Sequence, residues 1–228
     1  MGCAQETFDR ILGFIHRELV DPNYLETFCN AANSESRWQI DNRLDEMGCT
    51  PKCASHQVFG IQSMDTTRCA TCNVVDDIAE VKAEFICQFY VNEMLDQFDK
   101  LPDTPNKDIH DVLKSIIKGE CDFMITNRSD KKKCRICRKP LKVEEKWLLE
   151  LPMIFTVGFQ YPDLDMQYDR NTIRKIYDLL PPKLILSKIY KITGGTQSDS
   201  TYVLRGMIVY YGRHYYAYFY SQKYDTWY

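Results

Sequence analysis

Residues 68–73 read R-C-A-T-C-N and residues 133–138 read K-C-R-I-C-R. They contain two C-x-x-C pairs, Cys69/Cys72 and Cys134/Cys137, with residues 73–133 between them. Two residues between cysteines let one tight turn aim both sulfurs at a single ion. Two such turns supply the four thiolates of a closed tetrahedral zinc site, and with no vertex left for water the expected role is structural. Lys131, Lys132, Lys133 and Arg135 flank the second pair and would offset an anionic ZnS4 centre. Because the pairs are remote in sequence, a shared ion ties two distant hairpins together. The bland alternative is incidental cysteines in two turns. A redox role fits less well, because neither pair starts a helix after a buried strand.

The rest of the chain limits what surrounds that centre. With 228 residues it is one large or two small domains, long enough to bury a core. A net charge of −3 gives no electrostatic reason to expect nucleic acid or an anionic membrane as partner. No apolar run approaches the ~18 residues of a membrane span, and the N-terminus lacks the basic-then-apolar order of a secretion signal. The opening Met-Gly-Cys begins like an acylation site, but Glu6 stands where Ser or Thr is required. Ten cysteines without a secretion signal point to metal ligands and free thiols, hence to an intracellular, cytoplasmic protein.

A second cysteine–histidine group, Cys49-x3-Cys53-x2-His56, offers three further ligands. A fourth would come from Cys29, Cys121 or residues outside this chain. Buried thiols and a hydrogen-bonded histidine are the equal alternative. Cys3, Cys87 and Cys121 otherwise read as core or surface thiols.

Periodicity sorts the segments. Phe8, Ile11, Leu12, Ile15 and Leu19 recur at three and four, predicting an amphipathic helix over residues 4–20 with Arg10 and Arg17 outward. Asp21-Pro22-Asn23 ends it. Residues 22–54 are polar and predict short helices and loops. Val58, Phe59, Ile61 and Met64 predict a strand with Gly60 inside it, and Phe85, Cys87, Phe89 and Val91 predict another. Asp108 is placed to cap a helix whose apolar face is Ile109, Val112, Leu113, Ile116 and Ile117, with Gly119 as its stop. Lys142–Leu149 and Met153–Gln160 read as strands separated by Pro152, and residues 171–180 as a short helix. From Tyr202 the chain predicts a long strand, a tight turn near Gly212 and a return strand. The layout is α+β.

With these pieces placed, the chain resembles the ubiquitin-specific proteases, the papain-like deubiquitinases. Ala4 to Leu12, A-Q-E-T-F-D-R-I-L, is similar to the Q-D-A-x-E-F helix that follows the family's cysteine box. The two knuckles match the zinc ribbon of its fingers. Leu148-Leu149-x-Leu151-Pro152-x-Ile154 resembles the strand motif L-x-x-L-P-x-V. Tyr202-x-Leu204 through Gly212-Arg213-His214-Tyr215 and Ala217-Tyr218 resembles Y-x-L … G-H-Y-x-A-Y, the histidine box. Four stretches in the family's order span nearly the whole chain. The spacing before the first knuckle and the G-[basic]-H-Y order are most similar to a branch regarded as inactive.

The resemblance implies a palm-and-fingers architecture, represented in part: N-terminal helix, antiparallel sheet and zinc-ribbon fingers. It divides the chain into residues 1–54, remainder of a helical thumb; 55–150, fingers; and 151–228, palm with the histidine box. It implies structural zinc on Cys69, Cys72, Cys134 and Cys137, and places His214 at the general-base position. It implies ubiquitin or a ubiquitinated protein as partner, with Glu144, Glu145 and Glu150 facing ubiquitin's basic surface. The bland alternative for these glutamates is a solvated strand face.

The family's nucleophile box, G-N-T-C-Y/F-x-N-S/A, has no counterpart in these residues. Cys3 and Cys29 lack the preceding Asn. The third triad carboxylate belongs in W-x-x-F/Y-D-D/N, and Trp227 is penultimate; Asp225 precedes it and does not match. Arg213 interrupts the usual Gly-His pair and would disfavour an imidazolium beside it. The expectation is a portion of a longer domain or a shortened relative. Two functions follow: a cysteine-type deubiquitinase seen in part, or a pseudoenzyme that keeps the fold as a ubiquitin- or protein-binding component of a larger assembly, with residues 22–54 and 160–172 as contact regions. In either case this chain alone is expected to be inactive.

Overall fold

Two long strands organise the molecule: β1 (Ile61–Cys69) and β5 (Leu141–Glu150). They pair antiparallel from Gln62↔Glu150 to Cys69↔Leu141, with bulges between Gln62 and Ser63 and between Thr66 and Thr67. Each bulge adds a residue to one strand and tightens the twist. The Trp147 indole N–H donates to Thr66 Oγ1 across the pair, at 3.2 Å. The other edge of β1 takes two short strands in turn, β3 (Val81–Glu84) along its first half and β2 (Val75–Asp76) near its end. One end of the ribbon therefore sits in the core, where Ile61 and Leu148 are buried, and the other ends at Cys69. The computed structural model describes residues 4–19, 52–69, 71–76, 81–101, 108–117, 133–139, 141–161, 170–193, 199–211 and 214–228.

The N-terminal helix is α1 (Ala4–Leu19). Leu12 and His16 are buried and Arg10 is exposed, but Ile11 and Phe14 are 53% and 58% exposed. The buried stripe is thus rotated from the one the apolar spacing predicts, and Ile11 is not in it. The side chains of Arg17 and Leu19 lie outside the described residues. Where a strand was expected through Val58 and Phe59, the chain instead forms a short helix, α2 (Ala54–Phe59), and β1 begins only after Gly60. Packing accounts for the difference. Ser55 donates to the Leu12 carbonyl at 3.0 Å, and the Phe8 and Phe59 rings meet edge to face at 5.3 Å, so this segment is held by α1.

The alternation at Phe85–Val91 yields only β4 (Cys87–Tyr90), after which α3 (Val91–Lys100) starts. The capped helix matches its expectation: residues 109–117 form α4, the His110 N–H donates to Asp108 Oδ1 at 3.1 Å, and Ile109, Val112, Leu113, Ile116 and Ile117 are all buried. Gly119 lies outside the described residues. Further on come β6 (Val157–Gln160), α5 (Arg170–Leu179), β7 (Lys183–Ile185), α6 (Leu186–Ile189), β8 (Lys191–Ile192) and β9 (Thr201–Val203). The expected antiparallel sheet is joined by two short parallel pairs, β4 with β6 and β5 with β8. Alternation in sequence carries no information on strand direction, so these were not legible. The main core gathers Met94, Val112, Ile116, Leu148 and Leu186, each fully buried, from α3, α4, β5 and α6. The C-terminal part is a three-stranded antiparallel sheet of β10 (Gly206–Tyr211), β11 (His214–Ser221) and β12 (Thr226–Trp227). The long strand expected from Tyr202 is broken at residues 204–205 into β9 and β10. Among the described residues no helix is long and apolar enough to cross a membrane.

Candidate metal centres and the histidine strand

The four cysteines of the two knuckles converge. Their Sγ atoms all lie within 4.8 Å of one another, with Cys69 and Cys137 at 3.3 Å and Cys72 and Cys134 at 3.3 Å. Each first cysteine is buried, each second is half-buried, and all four are free thiols. The knuckle backbone is repeated at the two sites: Asn73 N–H donates to the Cys69 carbonyl and Arg138 N–H to the Cys134 carbonyl, with Asn73 and Arg138 at φ 59 and 60. That left-handed residue turns the chain so that successive N–H groups face the sulfurs.

The consequence for the thiols is a split. The Cys72 N–H beside Cys69 draws its thiol down to about 6, against the opposing effect of burial. Cys134 is lowered in the same way by the Cys137 N–H. At Cys72 the Val74 N–H favours the thiolate, but the neighbouring Cys134 sulfur and burial prevail and push it up to about 12. Cys137 is likewise raised, with Lys139 N–H opposing and Cys69 raising. Two anions are easily held here and four repel, which is the electrostatic condition a dication relieves. The donor set and its spacing fit one tetrahedral zinc.

The second group is only partly the one expected. Cys53 and His56 do come together, but the third donor is His16 of α1; Cys49, Cys29 and Cys121 lie outside the described residues. His16 Nδ1 stands 3.3 Å from Cys53 Sγ, and His56 Nδ1 stands 3.4 Å from the same sulfur. The three donor atoms lie within 4.8 Å of one another, and the residues are 2%, 6% and 3% exposed. The imidazoles of His16 and His56 meet edge to face at 4.5 Å, and Phe85 covers His56 at 4.9 Å. Burial lowers the His56 imidazole to about 4, assisted by His16 and Lys52, so the ring is neutral at pH 7. Nothing local marks His16 as a partner of Cys53, because 37 residues separate them; only the helix pairing brings them together.

His214 opens β11 and is exposed. It pairs with Tyr211, so it shares one face of the ribbon with Val209, Tyr216, Met207 and Tyr218, while Ile208, Tyr210, Tyr215 and Phe219 occupy the other. Gly212 and Arg213 lie outside the described residues. Tyr202 and Pro152, from two motifs distant in sequence, meet: the phenol donates to the Pro152 carbonyl at 2.5 Å, and its ring packs on Phe155. Asp225 accepts from the Tyr220 hydroxyl. It lies beyond the opposite end of β11 from His214, roughly 20 Å away along an extended strand. A hollow of about 390 Å3 lined by Tyr90, Asn92, Glu93 and Asp96 opens at the start of α3. Glu150 pairs with Lys52, and the side chains of Glu144 and Glu145 lie outside the described residues.

A mixed α+β domain with a cysteine cluster at the tip of a long ribbon and a histidine on an aromatic antiparallel strand defines a class. The family model described as "Ubiquitin carboxyl-terminal hydrolase" matches residues 4–228, and the chain belongs to that family. Among curated proteins it is similar to "Ubiquitin carboxyl-terminal hydrolase 54" of Rattus norvegicus and of Mus musculus, 23% identical to each over 241 residues. All of this chain is covered in both matches, but it spans only 12% of the length of these relatives. Among solved structures its fold is similar to a chain of the SAGA DUB module of Ubp8, Sgf11, Sus1 and Sgf73, with a TM-score of 0.53 and 14% identity. That match covers all of this chain and 44% of the other.

Proposed function

We propose that this chain is the histidine-bearing, zinc-stapled part of a deubiquitinase domain, built to bind ubiquitin, and that alone it does not hydrolyse ubiquitin conjugates. The observation that carries the reading is the family match over residues 4–228. In this reading residues 1–54 belong to the thumb, 55–150 to the fingers and 151–228 to the palm. Cys69, Cys72, Cys134 and Cys137 hold one zinc, which fixes the finger hairpins and takes no part in chemistry.

The reaction of the family asks for a thiolate that attacks the carbonyl after ubiquitin's C-terminal glycine. His214 would take the thiol proton and return it to the departing lysine amine; water then cleaves the thioester. A base must stand within hydrogen-bond reach of the thiol it activates. Each described cysteine is engaged elsewhere: Cys53 with His16 and His56, Cys87 with the Tyr190 hydroxyl, the other four with one another. Asp225, bonded to Tyr220 beyond the far end of β11, is not placed to orient the His214 imidazole. These placements favour binding without turnover, the role of a pseudoenzyme or of a component in an assembly; Ubp8, which is similar in fold, was solved within such a module. The free thiols accord with a reducing, intracellular compartment.

The test is a pair of measurements on the 228-residue chain. Titration into isotope-labelled ubiquitin should perturb a contiguous ubiquitin surface, and a ubiquitin-tail fluorogenic substrate should show no turnover. No perturbation would remove ubiquitin as the partner. Robust hydrolysis lost on replacing His214 and one cysteine would show that this chain holds its own nucleophile.

A further inference from the structure

We propose that His16, Cys53 and His56 are ligands of a second structural metal ion, a zinc, which joins α1 to the start of the β1 ribbon. The proposal stands on donor geometry and does not depend on the family reading. A tetrahedral zinc with bonds of about 2.0–2.1 Å to nitrogen and 2.3 Å to sulfur sets its ligand atoms roughly 3.3–3.6 Å apart. The two nitrogen–sulfur separations here, 3.3 and 3.4 Å, are ligand edges of that size.

The backbone explains why the donors converge. Cys53 stands at the N-cap of α2, and Gln57 N–H donates to its carbonyl at 2.9 Å, closing the first turn. That turn puts His56 over Cys53, with the same two-residue separation as in each cysteine knuckle. His16 arrives from α1, which Ser55 fixes through its bond to the Leu12 carbonyl, one turn before His16. Gly60 leaves room for the arrangement: a Cβ there would stand 2.6 Å from the His56 carbonyl oxygen. All three side chains are more than nine-tenths buried. The burial of all three donors assigns the ion to structure. The fourth vertex belongs to a donor other than these three side chains.

The measurement is metal content of the full chain, purified without chelator and dialysed. Two zinc ions per chain are expected; one would overturn the proposal. Loading with cadmium-113 gives a readout that needs no variant: two resonances, one in the all-thiolate region and one at the lower shift of mixed nitrogen–sulfur coordination, against a single all-thiolate resonance if the cluster is only a hydrogen-bonded His–Cys–His. For the assignment to residues, Cys53→Ser and His56→Gln should each lower the content from two to one and abolish the mixed resonance while leaving the thiolate one. Two zinc ions retained in both variants would place the second metal elsewhere.

Discussion

At the scale of the residue, two positions make sharp predictions. Gly60 separates α2 from β1, and an added methyl would press on the His56 carbonyl oxygen at 2.6 Å. Gly60→Ala is expected to lower stability by about 1–3 kcal/mol, the usual cost of overpacking, read as a lower urea midpoint. Asp108 is the second. Burial alone would raise its carboxyl, but bonds from the His110 ring and N–H and from the Lys188 ammonium hold it below the ordinary carboxylate value. A depressed folded-state value means that its contribution is present above the unfolded carboxylate pKa, about 3.9, and is lost as pH falls through the lower folded value. Asp108→Ala should therefore cost about 1 kcal/mol at pH 7, the worth of an N-cap, and the gap to the parent protein should narrow below about pH 4. A gap that widens in acid would contradict the assignment.

At the scale of the element, the β1–β5 ribbon is the part most dependent on its tip. Its base rests in the core at Leu148, while among the described residues its far half is held by the short β2 and the cysteine cluster. Chelation, or Cys134→Ser, should abolish amide-exchange protection at Thr66–Cys69 and Val143–Glu145 and leave α4 protected; uniform loss would show that the cluster governs the whole fold. The knuckles were legible because their information is local: two residues of spacing and a turn. So was α4, where a cap and five apolar residues agree with what packs there. Local signals misled at Val58 and Phe59, whose β-favouring side chains were overridden by packing on α1, and gave no warning of α3. The place of His16 beside Cys53 was invisible for the same reason, since it depends on how two helices meet.

For the whole molecule, the distribution of burial separates the core from the surface. Leu148 is fully buried where β5 meets the main core, and Leu148→Ala should cost about 2–5 kcal/mol of global stability. Ile136, between the cysteines of the second knuckle, is 68% exposed, and Ile136→Ala should change stability by less than about 0.5 kcal/mol. Thermal or urea denaturation of the two variants side by side decides whether apolarity or placement matters. The α+β class was legible from segment patterns; the parallel pairing of β5 with β8 was not, because it joins Trp147 and Leu148 to Lys191 and Ile192 across a long stretch of chain.

The convergence of the two knuckles also has a consequence for synthesis. Cys69 and Cys137 are 68 positions apart, Cys72 and Cys134 are 62. At a translation rate of 5–20 residues per second, roughly 3–14 s pass after the first pair leaves the ribosome before the second follows. During that interval the nascent chain presents the Cys69/Cys72 dithiol without the pair it is to join. Oxidants that reach it can close the pair on itself and spoil it for its partner. The yield of folded protein should then depend on how reducing the compartment is while the ribosome is still at work, even when the finished protein tolerates the same oxidant well.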